Sequence, residues 1–322
     1  MTENLICAYD FTTSGKAVPL DEGGIFKKLP KGNWRWIHLQ RHGPDVLGWL
    51  MADDNIPESA VHLLLAEETR PTVHAMESGH IINLRGVNLN PDAAPEDMVA
   101  VRIWVEKDRI ITLRKPRIVA VQAIRELCEA GEPPDSIGDF LSQLVGGLIE
   151  RMDPVIANLD DRLDSLEETE LEEASNKHRN RLGHLRRQAI ALKRFLSPQR
   201  DALSKLSMLN VSWLLPEHVQ AIHEAHDHTS RMVEALDAIR ERAGLLHEEF
   251  SSQMAEKNNR NSYVLAVIAA IFLPLGFLTG LLGINVGGVP GVDSPWGFAA
   301  VTLLVIVLGI AEFAVLRWMR WI

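Results

Sequence analysis

The chain has 322 residues, with 33 Lys and Arg against 43 Asp and Glu, for a formal net charge of −10. That balance excludes a nucleic-acid binder, which needs a basic face to displace counterions from phosphates. Its two Cys, at 7 and 128, are isolated and form neither a disulfide framework nor a Cys-x-x-Cys site. The first twenty residues have no basic segment leading into an apolar run, so no secretory leader is expected and the soluble part is read as reduced and cytosolic.

Charge is unevenly distributed. The last four charged residues, Asp293, Glu312, Arg317 and Arg320, cancel, so residues 1–260 carry the whole net charge. Residues 261–292 and 294–311 contain no charge at all. A membrane protein with a large acidic soluble part is expected.

Residues 1–133 alternate short apolar runs with turns. The runs at 5–9, 35–40, 72–76, 80–87, 99–105 and 109–114 read as strands, and 45–53 and 58–66 as helices. Glu106-Lys107-Asp108 is a polar turn between two strand-like runs and predicts a hairpin. The expected fold is a mixed α/β domain, making the whole an α+β membrane protein.

Residues 134–262 read as a helical stalk. Leu141, Leu144, Leu148, Met152, Val155, Leu159 and Leu166 keep a 3/4 rhythm, and Leu182 to Leu206 continue it past an expected bend at Pro198. A third helix opens at Pro216, where proline suits the first turn. Ile222, Ala225, Thr229, Met232, Leu236, Ile239, Ala243, Leu246 and Phe250 step 3, 4, 3, 4, the mark of a left-handed supercoil. No stop signal precedes the apolar run that follows, so one very long helix is expected.

Residues 263–284 are free of charge and span roughly 33 Å as a helix, enough for a hydrocarbon core of roughly 30 Å. Residues 296–316 form a second span whose only charge is Glu312. The loop at 285–295 has no Lys or Arg, while Lys257, Arg260, Arg317 and Arg320 flank the spans, which puts both termini and the tail at 317–322 in the cytoplasm. Two helices cannot enclose a hydrophilic path, so transport requires several copies around an axis. One face of the first span is small or polar: Asn259, Ser262, Leu265, Ala269, Leu273, Gly276 and Gly280. Gly276-x-x-x-Gly280 permits close helix approach, and Pro274 frees a backbone carbonyl. These residues are candidate pore lining.

The run PLGFLTGLLGIN, ending Gly283-Ile284-Asn285, resembles the end of the first membrane helix in the CorA family of divalent-metal transporters, whose signature there is Gly-Met-Asn. Pro274, Thr279 and Gly280 fit that resemblance, as does the order of an α/β domain, a stalk helix and two C-terminal spans. Ile284 replaces the methionine, and the loop NVGGVPGVDSPWGF lacks an early acidic pair; both features look like the ZntB branch, the zinc transporters of this family. The resemblance implies a homopentamer in the bacterial inner membrane, five Asn285 side chains ringing the pore mouth, and Zn2+ moved with a proton gradient, uptake favoured over efflux. A neutral amide ring can hold a hydrated dication through its water shell without trapping it. Asp293 either concentrates cations at the entrance or is an ordinary turn residue before Pro295.

Two further groups bear on metal or proton chemistry. His218, His223, Glu224, His226, Asp227 and His228 crowd the start of the third stalk helix; imidazole with carboxylate suits zinc, but the same residues also read as a solvated or structural face. Glu312 either snorkels or pairs with Arg317, or couples transport to protons. No Walker loop, kinase signature, Gly-x-Ser-x-Gly or His-Glu-x-x-His occurs, so an enzyme is not expected, and no cofactor beyond the transported ion. The competing readings are a magnesium, cobalt or nickel transporter of the wider family, and a membrane-tethered sensor or scaffold without flux.

Overall fold

The computed structural model describes residues 4–168, 176–284 and 294–319. It divides into two units, Met1–His247 and Glu248–Ile322.

The first unit is built on a seven-stranded sheet: β1 (Leu5–Phe11), β2 (Ala17–Pro19), β3 (Trp34–Gln40), β4 (Thr72–Ala75), β5 (His80–Gly86), β6 (Val99–Val105) and β7 (Arg109–Arg114). Strand order is β2-β1-β3-β7-β6-β5-β4, with β3 and β7 parallel and all other neighbours antiparallel. The expected hairpin at Glu106–Asp108 joins β6 to β7 in register Val105↔Ile110. The inner strands β3 and β6 are buried on nearly every residue because helices cover both faces. On one face α1 (Val46–Met51) and α2 (Glu58–Leu65) bury Val46, Leu50, Ala60, Val61 and Leu64 against Ile37, Leu39, Ile81, Trp104, Ile111 and Leu113. On the other, Phe140 of α4 (Ile137–Glu150) packs on Trp34 and Trp36 of β3, with ring centroids at 6.1 and 4.9 Å.

Three features depart from the sequence reading. β2 is an added edge strand. α3 (Val119–Ala130) was not anticipated; it ends at Gly131, whose φ of 86° lets the Glu132 N–H reach back to the Leu127 carbonyl at 3.0 Å. The ladder from Leu141 to Leu166 is two helices, α4 and α5 (Asp153–Glu167), broken at Arg151–Met152 where Pro154 opens the second. α6 (Asn176–Ser207) is one continuous helix with Pro198 inside it.

α7 (Pro216–Leu282) is one helix of 67 residues, as the lack of a stop signal predicts. Its predicted ladder is buried at Ile222, Ala225, Thr229, Met232, Leu236, Ile239, Ala243 and Phe250, and half-buried at Leu246. Arg242 fastens α7 to α5 by pairing with Asp160, Asp164 and Glu167, and its bonds to Glu167 and then Asp164 hold its guanidinium above its ordinary basicity. Lys193 of α6 reaches Asp237 of α7 at 2.6 Å. Gln199 of α6, 1% exposed, joins the sheet by accepting from the Arg85 N–H at 2.7 Å and donating to the Arg85 carbonyl at 3.0 Å.

In the second unit the membrane half of α7 pairs with α8 (Gly297–Trp318). Both helices are long and apolar enough to cross a membrane, with mean hydropathies of 2.5 and 2.6 over an 18-residue stretch of each.

Candidate functional site

The membrane half of α7 has two unlike faces. Val267, Ile271, Leu275, Leu278 and Leu282, spaced 4, 4, 3 and 4, are half-buried. The matching stripe on α8 is Val301, Val305, Leu308, Gly309, Glu312 and Leu316. Leu275 and Gly309 mark the contact: a Cβ built on Gly309 would lie 3.7 Å from Leu275 Cδ1.

The predicted pore residues occupy the other face. Asn259, Ser262, Leu265, Ala269, Leu273, Gly276 and Gly280 are all exposed within the chain. Nine residues separate Ala269 from Leu278, two and a half turns at about 3.6 residues per turn, so the stripes point in opposite directions. A Cβ at Gly276 or Gly280 would meet nothing within 4 Å. The Gly-x-x-x-Gly pair therefore takes no part in the α7–α8 hairpin. Its surface is open to another molecule.

Toward the helix end, the Thr279 hydroxyl donates to the Leu275 and Gly276 carbonyls at 3.0 and 3.2 Å. The Gly283 N–H closes the last turn on Thr279 and Gly280, and Ile284 beyond it is 49% exposed. Pro274 lacks the N–H that would bond the Ala270 carbonyl, on an exposed stretch of the helix. Asn285 and Asp293 lie outside the described residues.

Glu312 sits on the α8 stripe that faces α7. Its Oε2 is buried and has no hydrogen-bond partner among the described residues. No ion pair with Arg317 forms there, and Arg317 is exposed.

The six candidate stalk ligands separate into two groups. His218 is 8% exposed and accepts from the Leu215 N–H at 3.2 Å, closing the N-terminus of α7 as a third-position Glu does in a capping box. His228 pairs with Asp153 at the start of α5 at 2.9 Å, and Glu224 accepts from Gln220 at 3.0 Å. His223, His226 and Asp227 remain together, each with a donor atom within 4.8 Å of the others. The two imidazoles lie nearly parallel, 8° apart with centroids at 5.8 Å, and His226 Nδ1 is 3.0 Å from Asp227. That bond, with the charge of His223, holds the Asp227 carboxyl below the usual carboxylate range. Zinc bonds of about 2.1 Å place tetrahedral donors about 3.4 Å apart, so small side-chain rotations would bring these three onto one ion. Of the six candidates, the i, i+3, i+4 subset is the one whose donor atoms lie near one another.

The stripe of α8 had no sequence signal: in a uniformly apolar helix no periodic contrast marks the packed face.

Comparison with known proteins places this arrangement. The family model described as CorA-like Mg2+ transporter protein matches residues 31–318. The divalent cation transporter CmaX of Pseudomonas aeruginosa is 37% identical over 310 residues, covering 96% of this chain and 93% of that one. The zinc transport protein ZntB of Yersinia enterocolitica is 34% identical over 289 residues, covering 89% and 88%. The solved structure of full-length CmaX superposes with a TM-score of 0.84 at 36% identity, over 99% of this chain and 98% of that one. These relatives are transporters, not enzymes. The family match runs from just before β3 to the end of α8, and the chain belongs to the CorA family of divalent-metal transporters.

Proposed function

We propose that the chain is one subunit of a homopentameric pore that carries Zn2+ across the bacterial inner membrane, driven by a proton gradient and in the uptake direction. The observation that carries this reading is the exposed small and polar stripe from Asn259 to Gly280, opposite the face that α8 covers. Copies packed around an axis through that stripe would line it with neutral side chains and backbone oxygens, and a cation would pass largely hydrated. Gly283, Ile284 and Asn285 then form the outer mouth, with Asp293 drawing cations toward it and both termini in the cytoplasm. Glu312, facing the hairpin partner with an unsatisfied oxygen, is the proton-coupling group. His223, His226 and Asp227 hold a zinc-class ion on the stalk.

The test is reconstitution of the full chain in proteoliposomes loaded with zinc- or magnesium-sensitive dyes, with and without an imposed pH gradient. Zinc flux that the gradient accelerates and Asn285→Ala abolishes is expected. Flux that Asn285→Ala leaves intact overturns the pore mouth; magnesium flux without zinc flux moves the reading to a broader CorA-type channel, which the divalent-cation description of CmaX favours. A tethered sensor would carry neither ion.

A further inference from the structure

Four basic side chains of this acidic chain converge on the α2 face of the sheet. Arg41 and Lys115 follow β3 and β7, and Arg102 and Arg85 lie within β6 and β5. Strand parity puts them together: Arg41 shares a face with Leu39, Lys115 with Leu113, and Arg102 with Trp104, all members of the α2-side core. They line a cleft of about 190 Å³ whose only carboxylates are Glu67 and Asp97.

Part of this cluster has a structural task. Arg41 donates to the carbonyls of Leu65 and Ala66, and Arg102 to those of Leu64 and Glu67, satisfying the free carbonyls at the C-terminus of α2. Arg85 donates to Met98 and Thr69 and lies 4.0 Å above the Phe195 ring, with Arg194 close by. Carbonyls use up N–H groups without supplying a negative charge. One arginine could cap α2; three, two of them at least nine-tenths buried, bring with Lys115 more positive charge than Glu67, Glu68 and Asp97 balance. Arg85 Nε is buried with no hydrogen-bond partner among the described residues. Glu67, the one carboxylate near Arg41 at 3.7 Å, is itself 77% exposed. Burial, and then the neighbouring Arg41 and Arg85, pull the Arg102 guanidinium down to about 10.

We propose that this cleft binds a phosphate-class oxyanion, with Arg41, Arg85 and Arg102 as its floor and Lys115 at its exposed rim. Planar guanidinium forks match phosphate oxygens two at a time. The volume falls below the roughly 300–1,000 Å³ of sites for drug-sized ligands, so it admits a phosphoryl group or diphosphate and leaves no room for a base or sugar inside. Glu67 acts as a loose stand-in, held over Arg41 until the anion arrives.

The experiment measures thermal midpoints and binding isotherms of the full chain in detergent micelles, in metal-free buffer at constant ionic strength. Inorganic phosphate, pyrophosphate, ATP and chloride are compared. Pyrophosphate is expected to raise the midpoint where chloride does not. ATP binding no more tightly than pyrophosphate assigns the site to inorganic anions, and tighter binding assigns it to the phosphate chain of a nucleotide. Lys115→Glu should weaken pyrophosphate binding at least tenfold while leaving the ligand-free midpoint equal or higher, because it relieves repulsion at an exposed position. Glu67→Gln should tighten binding by freeing Arg41. Equal midpoints in phosphate, pyrophosphate and chloride overturn the proposal, as does unchanged pyrophosphate affinity in Lys115→Glu.

Discussion

Replacing Gly276 or Gly280 with leucine separates the two faces of α7. Neither glycine has an atom within 4 Å of an added Cβ, so the single chain has room for the new side chain. Glycine costs a helix interior about 1 kcal/mol relative to good helix formers, so each replacement leaves the α7–α8 hairpin as stable or more stable. Between copies the effect is opposite. Close helix approach in lipid depends on small residues, and in the proposed pentamer one leucine per copy would place five bulky groups around the axis. Gly309 is the control, because a side chain added there would meet Leu275. A methyl at 3.7 Å is an ordinary van der Waals contact, so Gly309→Ala should be neutral, while Gly309→Leu overpacks the hairpin by about 1–3 kcal/mol. Zinc flux in proteoliposomes, oligomeric mass by light scattering, and helix melting by circular dichroism read out the three terms. Gly276→Leu and Gly280→Leu should lose at least tenfold in flux or fall apart as oligomers, without a lower helix melt. Wild-type flux and wild-type mass in both variants would refute the assignment of this face.

Further outcomes follow from the soluble part and from α8. His38, buried with its Nδ1 2.7 Å from the Thr112 hydroxyl, is pushed down to about 3 by burial and then by Arg114 and Arg125. Unfolding returns it to its ordinary value near 6.5, so the unfolded state binds the extra proton between about pH 6.5 and 3 and stability falls as pH falls through that window. From pH 6.5 to 5 the loss is about 2 kcal/mol, and urea titrations of His38→Leu should show a flatter pH dependence than wild type. Gly138→Ala drives a methyl into the His218 ring and the Trp213 carbonyl, so it should lower the melting temperature even though alanine favours helix. Glu312→Gln should flatten the pH profile of zinc flux; an unchanged profile removes the glutamate from coupling. His226→Ala should eliminate one zinc per chain from equilibrium dialysis of the full protein, and equal stoichiometry would leave the stalk triad without a metal.

The parts legible from the residues are those where burial leaves a contrast. Six strands were readable because their apolar runs stop at polar turns, and the α7 ladder because Thr229 and its neighbours alternate with charged residues. β2 carries no such contrast: three residues at a sheet edge, half-buried or exposed, ending on Pro19. α3 starts behind the apolar Ile118 with no capping side chain to mark its N-terminus. Across the α4–α5 break, Met152 preserves the ladder although the backbone does not, and Pro154 was the overlooked stop signal. The small-residue face of the membrane span could be read from identity, since glycine and serine stand out among leucines. The packed face of α8 and the arginine cleft could not. The first is apolar among apolar residues, and the second joins four segments between positions 41 and 115.

The exposures on α7 also bear on what would drive the proposed assembly. Leu265, Phe272, Leu273 and Phe277 are 66%, 68%, 72% and 70% exposed in the single chain. In water each would forgo roughly 1.5–3 kcal/mol of burial, which demands a cover. Lipid provides that cover already, and because acyl chains are as apolar as leucine, it supplies no hydrophobic drive from one copy to the next. Assembly then has to come from shape and from the few polar contacts that lipid cannot make. Gly276 and Gly280 offer the shape, and Asn259 and Ser262 just outside the apolar run offer the contacts. Trimming Phe272 to leucine should therefore change little in oligomeric mass, whereas one added side chain at either glycine should change much; the reverse ranking would mean that apolar bulk, not close approach, holds the copies together.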